Sequence, residues 1–243
     1  MDVNRRALLI AAAAAGSAVA ARPVLAAGPT PGLAAAVERF AALPATASCL
    51  IEAADPKGGW TAGHDPGAVM FIGSAVKTFI LAQYMRDVEA GRLSESDQRT
   101  IDDAVRSPGS PVFLNLTGTT PARSVLEAMI AHSDNTATDV AIAAVGPDRF
   151  RALIKEAGLA TVRIPESTRR LFSYLAGAPE GSDLSWPEMQ RLATAAPAGQ
   201  TRPPINDKET MVSSAEDMVR WYRTCLKPAF FTKPETFVEF KRI

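Results

Sequence analysis

Ser74 and Lys77 stand one helical turn apart, and Ser133-Asp134-Asn135 follows further along the chain. A serine and a lysine at that spacing share one face of a helix and offer a nucleophile beside a base. Ser133 adds a hydroxyl able to relay a proton, and Asn135 adds an amide able to hold a substrate. Together they suit acyl transfer through an ester on an active serine. A helix N-terminus at Ser74 favours developing negative charge, so the Ser74 N–H can form half of an oxyanion hole. A lysine on an otherwise apolar helix is costly unless it is paired. Burial would also lower its pKa and make the neutral amine accessible as a base. Each part has a plainer role as well. Ser74 can cap a helix while Lys77 snorkels, and Ser133, Asp134 and Asn135 all cap well. Ser-x-x-Lys is expected by chance about once in a chain of this size, whereas Ser-Asp-Asn is expected in only a few per cent, roughly, of such chains. The pair therefore favours chemistry over capping.

The elements that must position these residues follow from periodicity and punctuation. Pro31 to Leu43 reads as an amphipathic helix with Leu33, Val37, Phe40 and Ala41 on one side. Ser48 to Ala53 reads as a strand, Asp55 to Gly59 as a turn, and Trp60 to His64 as the returning strand. Ser74 to Ala90 reads as a helix apolar on nearly every side, which implies burial. Ser94 to Asp97 is expected to cap a more polar helix around Arg99 to Val105, with Ser107 to Thr120 as a loop. Thr120 and Pro121 are expected to open the next helix as cap and first residue, with Val125, Leu126, Met129 and Ile130 buried. A short helix then reaches Val145, Gly146-Pro147 breaks it, and a helix bearing Phe150, Leu153, Ile154 and Ala157 ends at Gly158. Arg163 to about Pro204 reads as mostly irregular. Helices are expected again from Ser214 to Leu226 and after Lys233-Pro234. Strands are suggested only near the start.

The chain has 243 residues, 47% hydrophobic and 21% charged, which fits one sizeable domain or one domain in two lobes. Its 26 basic and 26 acidic residues give no reason to expect nucleic acid or an anionic membrane as partner. Residues 1–27 read as a signal peptide of the twin-arginine type, leaving 28–243 as the domain. Arg5-Arg6 precede an alanine-rich apolar run, and Val24-Leu25-Ala26 gives an A-x-A-like cleavage pattern. A membrane anchor is the alternative, but the run is short and alanine-rich for a span. Export implies the periplasm, an oxidising compartment. There Cys49 and Cys225 could pair, although two buried free thiols are the preferred reading. His64 and His132 are the only histidines, and CxxC and HExxH are absent, so a histidine-rich metal site is not available, and acyl transfer on a serine needs neither metal nor organic cofactor. No G-x-S-x-G turn occurs, and His132 reads as packed rather than catalytic.

Phe71 to Phe79 and Met129 to Ala137 carry a family resemblance. The chain resembles the class A β-lactamases and the related penicillin-recognising serine hydrolases from about Leu33 onward. The resemblance implies that Ser74 attacks the carbonyl and Lys77 helps remove its proton. It also implies that Ser133 passes a proton to the leaving nitrogen, and that Asn135 holds the substrate amide and positions Lys77. The implied fold is α+β, with a helical lobe and an antiparallel sheet lobe. Two departures stand out. The hydrolysing members carry Glu-x-x-Leu-Asn in a later loop, where the glutamate activates the deacylating water. Registered on Leu171, this chain has Thr168 in the glutamate position and Phe172 in the asparagine position. Glu166 lies two residues early and is kept as a candidate base, the alternative being a solvent-facing loop glutamate. The Lys-Thr-Gly or Lys-Ser-Gly motif expected after Asn135 does not occur, so the expectation is a chain shortened at its C-terminal sheet strands and last helix. The resemblance implies hydrolysis of a β-lactam, or a related acyl-amide such as a cell-wall peptide, by a monomer. One alternative is a penicillin-binding or peptidoglycan-directed acyl transferase or esterase with slow deacylation. Another is a non-catalytic exported relic that binds cell-wall peptides.

Overall fold

A computed structural model describes residues 31–53, 59–194 and 201–243; the leader expected over 1–27, and all but the last residue of the expected turn Asp55 to Gly59, lie outside the described residues. The architecture is mixed α+β, as expected. Three two-stranded antiparallel ribbons flank a helical body. The first helix, α1 (Pro31–Ala41), has no buried residue and rests on a hairpin of β1 (Cys49–Ala53) and β2 (Trp60–His64). In that hairpin Cys49 faces His64 and Ala53 faces Trp60. The short strand β3 (Val69–Phe71) leads through a 3-10 turn, Gly73–Val76, into α2 (Lys77–Glu89). Phe79, Ile80, Leu81, Ala82, Tyr84 and Met85 of α2 are all buried, so its apolar circumference is met from every side. Around it lie α3 (Ala122–Ala131), α4 (Asn135–Val145) and α5 (Pro147–Glu156). A last group, α8 (Ala215–Cys225), a 3-10 turn at Pro228–Phe230 and α9 (Pro234–Arg242), closes the remaining side. Trp221 of α8 stacks at 4.5 Å on Phe79 and donates its indole N–H to Thr78 Oγ1 at 3.0 Å. It is fully buried, as an indole whose one polar atom is satisfied can be.

Three expectations are corrected. The polar helix around Arg99 to Val105 is instead a strand, β4 (Gln98–Ile101), paired with β5 (Gly118–Pro121). Ile101 is its one fully buried side chain, and alternation decided against the helical period. Because Pro121 belongs to β5, α3 starts at Ala122 without a side-chain cap. Asp97 and Glu95 carbonyls accept its first two N–H groups instead, at 2.9 Å each. Arg163 to Pro204, expected to be mostly irregular, carries two helices among its described residues. They are α6 (Thr168–Leu175), capped by Ser167, and α7 (Trp186–Thr194). Before α7, the Glu188 carboxylate reaches back to accept the Ser185 N–H and hydroxyl at 2.8 and 2.7 Å, one half of a capping box, and the Ser-x-x-Glu spacing made it readable. The strand β6 (Val212–Ser214) pairs with β3, and Arg163 and Val212 exchange backbone hydrogen bonds at 3.0 and 3.1 Å. That bridge closes the neck of the long segment carrying α6 and α7.

Candidate active site

β3 and the 3-10 turn deliver Ser74. Gly73 takes φ +51, a conformation open to glycine at little cost, and turns the chain from strand to helix. Ser74 is exposed, and as a first-turn residue its N–H has no partner within the turn, as an oxyanion donor requires. Lys77, the first residue of α2, is only 3% exposed. Ser133 sits between α3 and α4 with φ +56, which for a serine costs about 1–3 kcal/mol and marks an over-determined position. The conformation turns both its carbonyl and its hydroxyl toward Lys77.

Four expected residues meet here. Ser133 Oγ–H donates to Ser74 Oγ at 2.7 Å. Lys77 Nζ donates to Ser133 Oγ at 3.0 Å, to the Ser133 carbonyl at 2.5 Å and to Asn135 Oδ1 at 2.9 Å. Three acceptors for three N–H bonds describe an ammonium at rest. Burial nevertheless lowers the Lys77 pKa from 10.5 to about 8, with Asp134 and Asp139 pulling the other way. A neutral amine is therefore within reach near neutral pH. It would let the hydroxyl chain reverse, so that the Ser74 proton moves through Ser133 toward nitrogen.

The frame behind these atoms is polar and buried. Asp134 caps α4 through Ala137 N–H at 2.8 Å, and its other oxygen accepts Val112 and Phe113 N–H at 2.8 and 2.9 Å. Asn135 Nδ2 donates to the Pro108 carbonyl at 2.8 Å. Gly109 must lack a side chain, because a Cβ there would lie 2.8 Å from Asn135 Nδ2. Arg106 is buried and binds the Phe113 and Leu116 carbonyls at 2.9 and 3.1 Å, which stiffens this loop. Thr168 is buried too; its hydroxyl meets Ser107 Oγ at 2.7 Å and the Asn135 carbonyl at 3.4 Å.

Glu166, the candidate deacylation base, is not brought to this group. It is half-exposed, and its carboxylate is held by Arg170 and, at 3.8 Å, by Arg151. It lines a separate cleft of about 330 Å³ together with Asp139, Arg169 and Asp183. Two arginines recruit the carboxylate outward, while the inward turn belongs to Thr168. His132 is exposed rather than packed. Cys225 is a buried free thiol, but Cys49 is only partly buried. Among the described residues no cluster of His, Cys, Asp and Glu fits a metal ion, and no helix is long and apolar enough to cross a membrane. Sequence reasoning missed Gly109, Arg106 and Asp139. Of these only Asp139 left a signal, one turn after Asn135 on the same helix face.

Solved structures share this fold. The β-lactamase of Sphaerobacter thermophilus DSM 20745 aligns with a TM-score of 0.63 at 21% identity, over 85% of this chain and 66% of its own. The structure of PBP-A aligns at 0.60 and 18% identity, over 86% of this chain and 66% of that one. A variant of PBP-A, an acyl-enzyme complex with penicillin G, aligns at 0.59 and 16% identity, over 88% and 68%. The chain thus spans about two thirds of the length of the structures it matches. No curated protein sequence matches it. A profile of the beta-lactamase enzyme family matches residues 33–236. The match begins in α1 and runs into α9, far beyond the two motifs, and the chain belongs to the beta-lactamase enzyme family.

Proposed function

We propose that the protein is a periplasmic serine acyl-transfer enzyme that opens β-lactams, or cleaves a related cell-wall amide, through an ester on Ser74. The observation that carries this reading is the continuous relay from Ser74 Oγ through Ser133 Oγ to the buried Lys77 Nζ. In the acylation step Ser74 Oγ bonds to the carbonyl carbon and the amide C–N bond breaks. The Ser74 proton passes by way of Lys77 and Ser133 to the leaving nitrogen. Asn135, with one amide N–H committed to Pro108, has a second to offer a substrate carbonyl. The PBP-A variant named above, captured with penicillin G, supports β-lactams as the first substrates to try. Arg5-Arg6 and the apolar run behind them support export.

The fate of the ester separates two versions. A β-lactamase needs a base for the deacylating water. Thr168 at the inward position and Glu166 paired with arginines favour the version in which the ester persists, as in a penicillin-binding protein. The experiment is intact-mass measurement of the periplasmic protein before and after brief exposure to penicillin G, with Ser74→Ala alongside. One opened penicillin added to the wild type and none to the variant is the expected result. Decay of the adduct over hours rather than seconds would favour the penicillin-binding version. No adduct on a folded wild-type chain would overturn the proposal.

A further inference from the structure

Ser74 lies on a 3-10 turn, Gly73–Val76, that passes into α2 at Lys77. In a 3-10 turn side chains three residues apart eclipse, whereas in an α-helix they are offset by about 60° around the axis. The tighter pitch therefore brings Ser74 and Lys77 closer into line. Its hydrogen bonds are poorer than those of an α-helix, so it is kept where something outside the turn holds it.

The stretch from Met211 to Trp221 holds this turn on both sides. In front, the Met211 carbonyl accepts the Ile72 N–H at 2.9 Å. Behind, Thr78 Oγ1–H donates to the Ala75 carbonyl at 3.1 Å, one residue after the nucleophile. A threonine bonding back along its own helix is common. What sets Thr78 apart is a second bond to the same oxygen, from Trp221 Nε1–H at 3.0 Å. An indole can only donate. The Thr78 hydroxyl must therefore accept from it, which leaves its single proton for the Ala75 carbonyl. Trp221 has little room to swing away. It is fully buried, stacked at 4.5 Å on Phe79 and set edge-on to Phe230 at 5.7 Å.

We infer that Thr78 is a positioning residue for Ser74, oriented by Trp221, and that the two hold the nucleophile turn in its 3-10 form. This rests on the acyl-transfer reading above. Neither side chain takes part in the bond changes at Ser74. Their effect is on where Ser74 Oγ and the Ser74 N–H point, and so on the rate of acylation rather than on the affinity for the substrate.

The test is penicillin G adduct formation followed by time-resolved intact mass over a range of penicillin concentrations, so that binding and acylation separate. Thr78→Val keeps the shape and removes the hydroxyl. It should lower the limiting acylation rate about tenfold, while the concentration giving half that rate moves by less than about twofold. Thr78→Ser should restore the limiting rate to within about twofold. Trp221→Phe removes the N–H and keeps an aromatic ring, and it should slow acylation about threefold. The double variant should be no slower than Thr78→Val alone, because the indole acts through the hydroxyl. A merely structural role would lower the melting temperatures and leave the limiting rates in place. A folded Thr78→Val protein that acylates at the wild-type rate overturns the inference, and so do two losses that multiply in the double variant. If Thr78→Val does not fold, Trp221→Phe acylating at the wild-type rate overturns it equally. A further readout needs no reaction. The Trp221 indole 15N–1H signal, assigned among the three tryptophans by its loss in Trp221→Phe, should shift in Thr78→Val and keep its place in Thr78→Ser. That shift without any adduct on the wild type would sink the acyl-transfer reading while the link stands, and an adduct with an unmoved indole signal would do the reverse.

Discussion

Replacing Gly109 by alanine tests whether the loop between β4 and β5 holds Asn135 in its working position. Gly109 has φ +74, and an added Cβ would lie 2.8 Å from Asn135 Nδ2 and 3.8 Å from its Cγ. Left-handed backbone at a non-glycine residue costs about 1–2 kcal/mol. The amide must also move, and its hydrogen bond to the Pro108 carbonyl is worth about 1 kcal/mol. The sum is a loss of about 2–3 kcal/mol, or about 4–12 °C in melting temperature for a domain of this size. Chemistry should suffer separately, because the opposite end of the same amide orients Lys77 at 2.9 Å. A displacement approaching 1 Å at such a group lowers the acylation rate by about 10- to 100-fold. Gly91→Ala supplies the control. Gly91 has φ +70 with nothing within 4 Å of its would-be Cβ, so it carries the strain without the clash. Thermal unfolding and the rate of penicillin adduct formation by mass are measured on both variants. Equal behaviour of the two, with acylation at the wild-type rate, would refute the close approach as the reason for glycine at 109.

The lowered Lys77 pKa sets two pH dependences. The amine is neutral in about one molecule in ten at pH 7 and nine in ten at pH 9, so acylation should accelerate about tenfold across that interval, and a flat profile in quenched-flow mass analysis would count against Lys77 as base. Folded Lys77 also releases its proton before the unfolded chain does, so stability should rise with pH above 8, by about 1 kcal/mol from pH 8 to 9 in urea unfolding. Higher still, Cys225 opposes this gain, because burial pushes its thiol up to about 12 and the unfolded thiol ionises first. Glu166→Gln should leave the lifetime of the Ser74 adduct unchanged, and a shorter or longer lifetime would return Glu166 to the mechanism. Thr168→Glu should shorten that lifetime by placing a carboxylate beside Asn135, at an overpacking cost of about 1–3 kcal/mol; an adduct as persistent as the wild type's would show the inward position is not where the water is activated.

What could be read in advance depended on how local the cause was. The burial of α2 followed from an apolar circumference, and the ends of α5 from Gly146-Pro147 and Gly158, all written within a few residues. The pairing of Gln98–Ile101 with Gly118–Pro121 is a long-range event, and only Ile101 hinted at it. Thr120-Pro121 has the form of a helix start, but strand pairing claimed both residues and distant carbonyls took over the cap. Within the site, Ser74, Lys77, Ser133 and Asn135 were legible because two short strings carry them. Their supports were not, because Gly109, Arg106 and Asp139 matter through what the fold brings opposite them. Glu166 misled for the same reason, since its position depends on Arg151 and Arg170 as much as on its place in the chain.

The contrast between α1 with its hairpin and the α2–α4 pair has a kinetic meaning. α1 has no buried residue, and no residue of β1 or β2 is fully buried. α2 and α4 each hold eight or more buried positions and pack on one another. Backbone amides in such a chain exchange with solvent in order of what must open to expose them. Those of α1 and the hairpin should exchange early, through an opening confined to that ribbon. Those of α2 and α4 should wait for the whole body to come apart. Lys77 and Asn135 are rooted in the slow set and Ser74 sits on the turn that leads straight into it, so the hairpin can come and go on the hydrogen-exchange timescale while the reacting atoms keep their spacing.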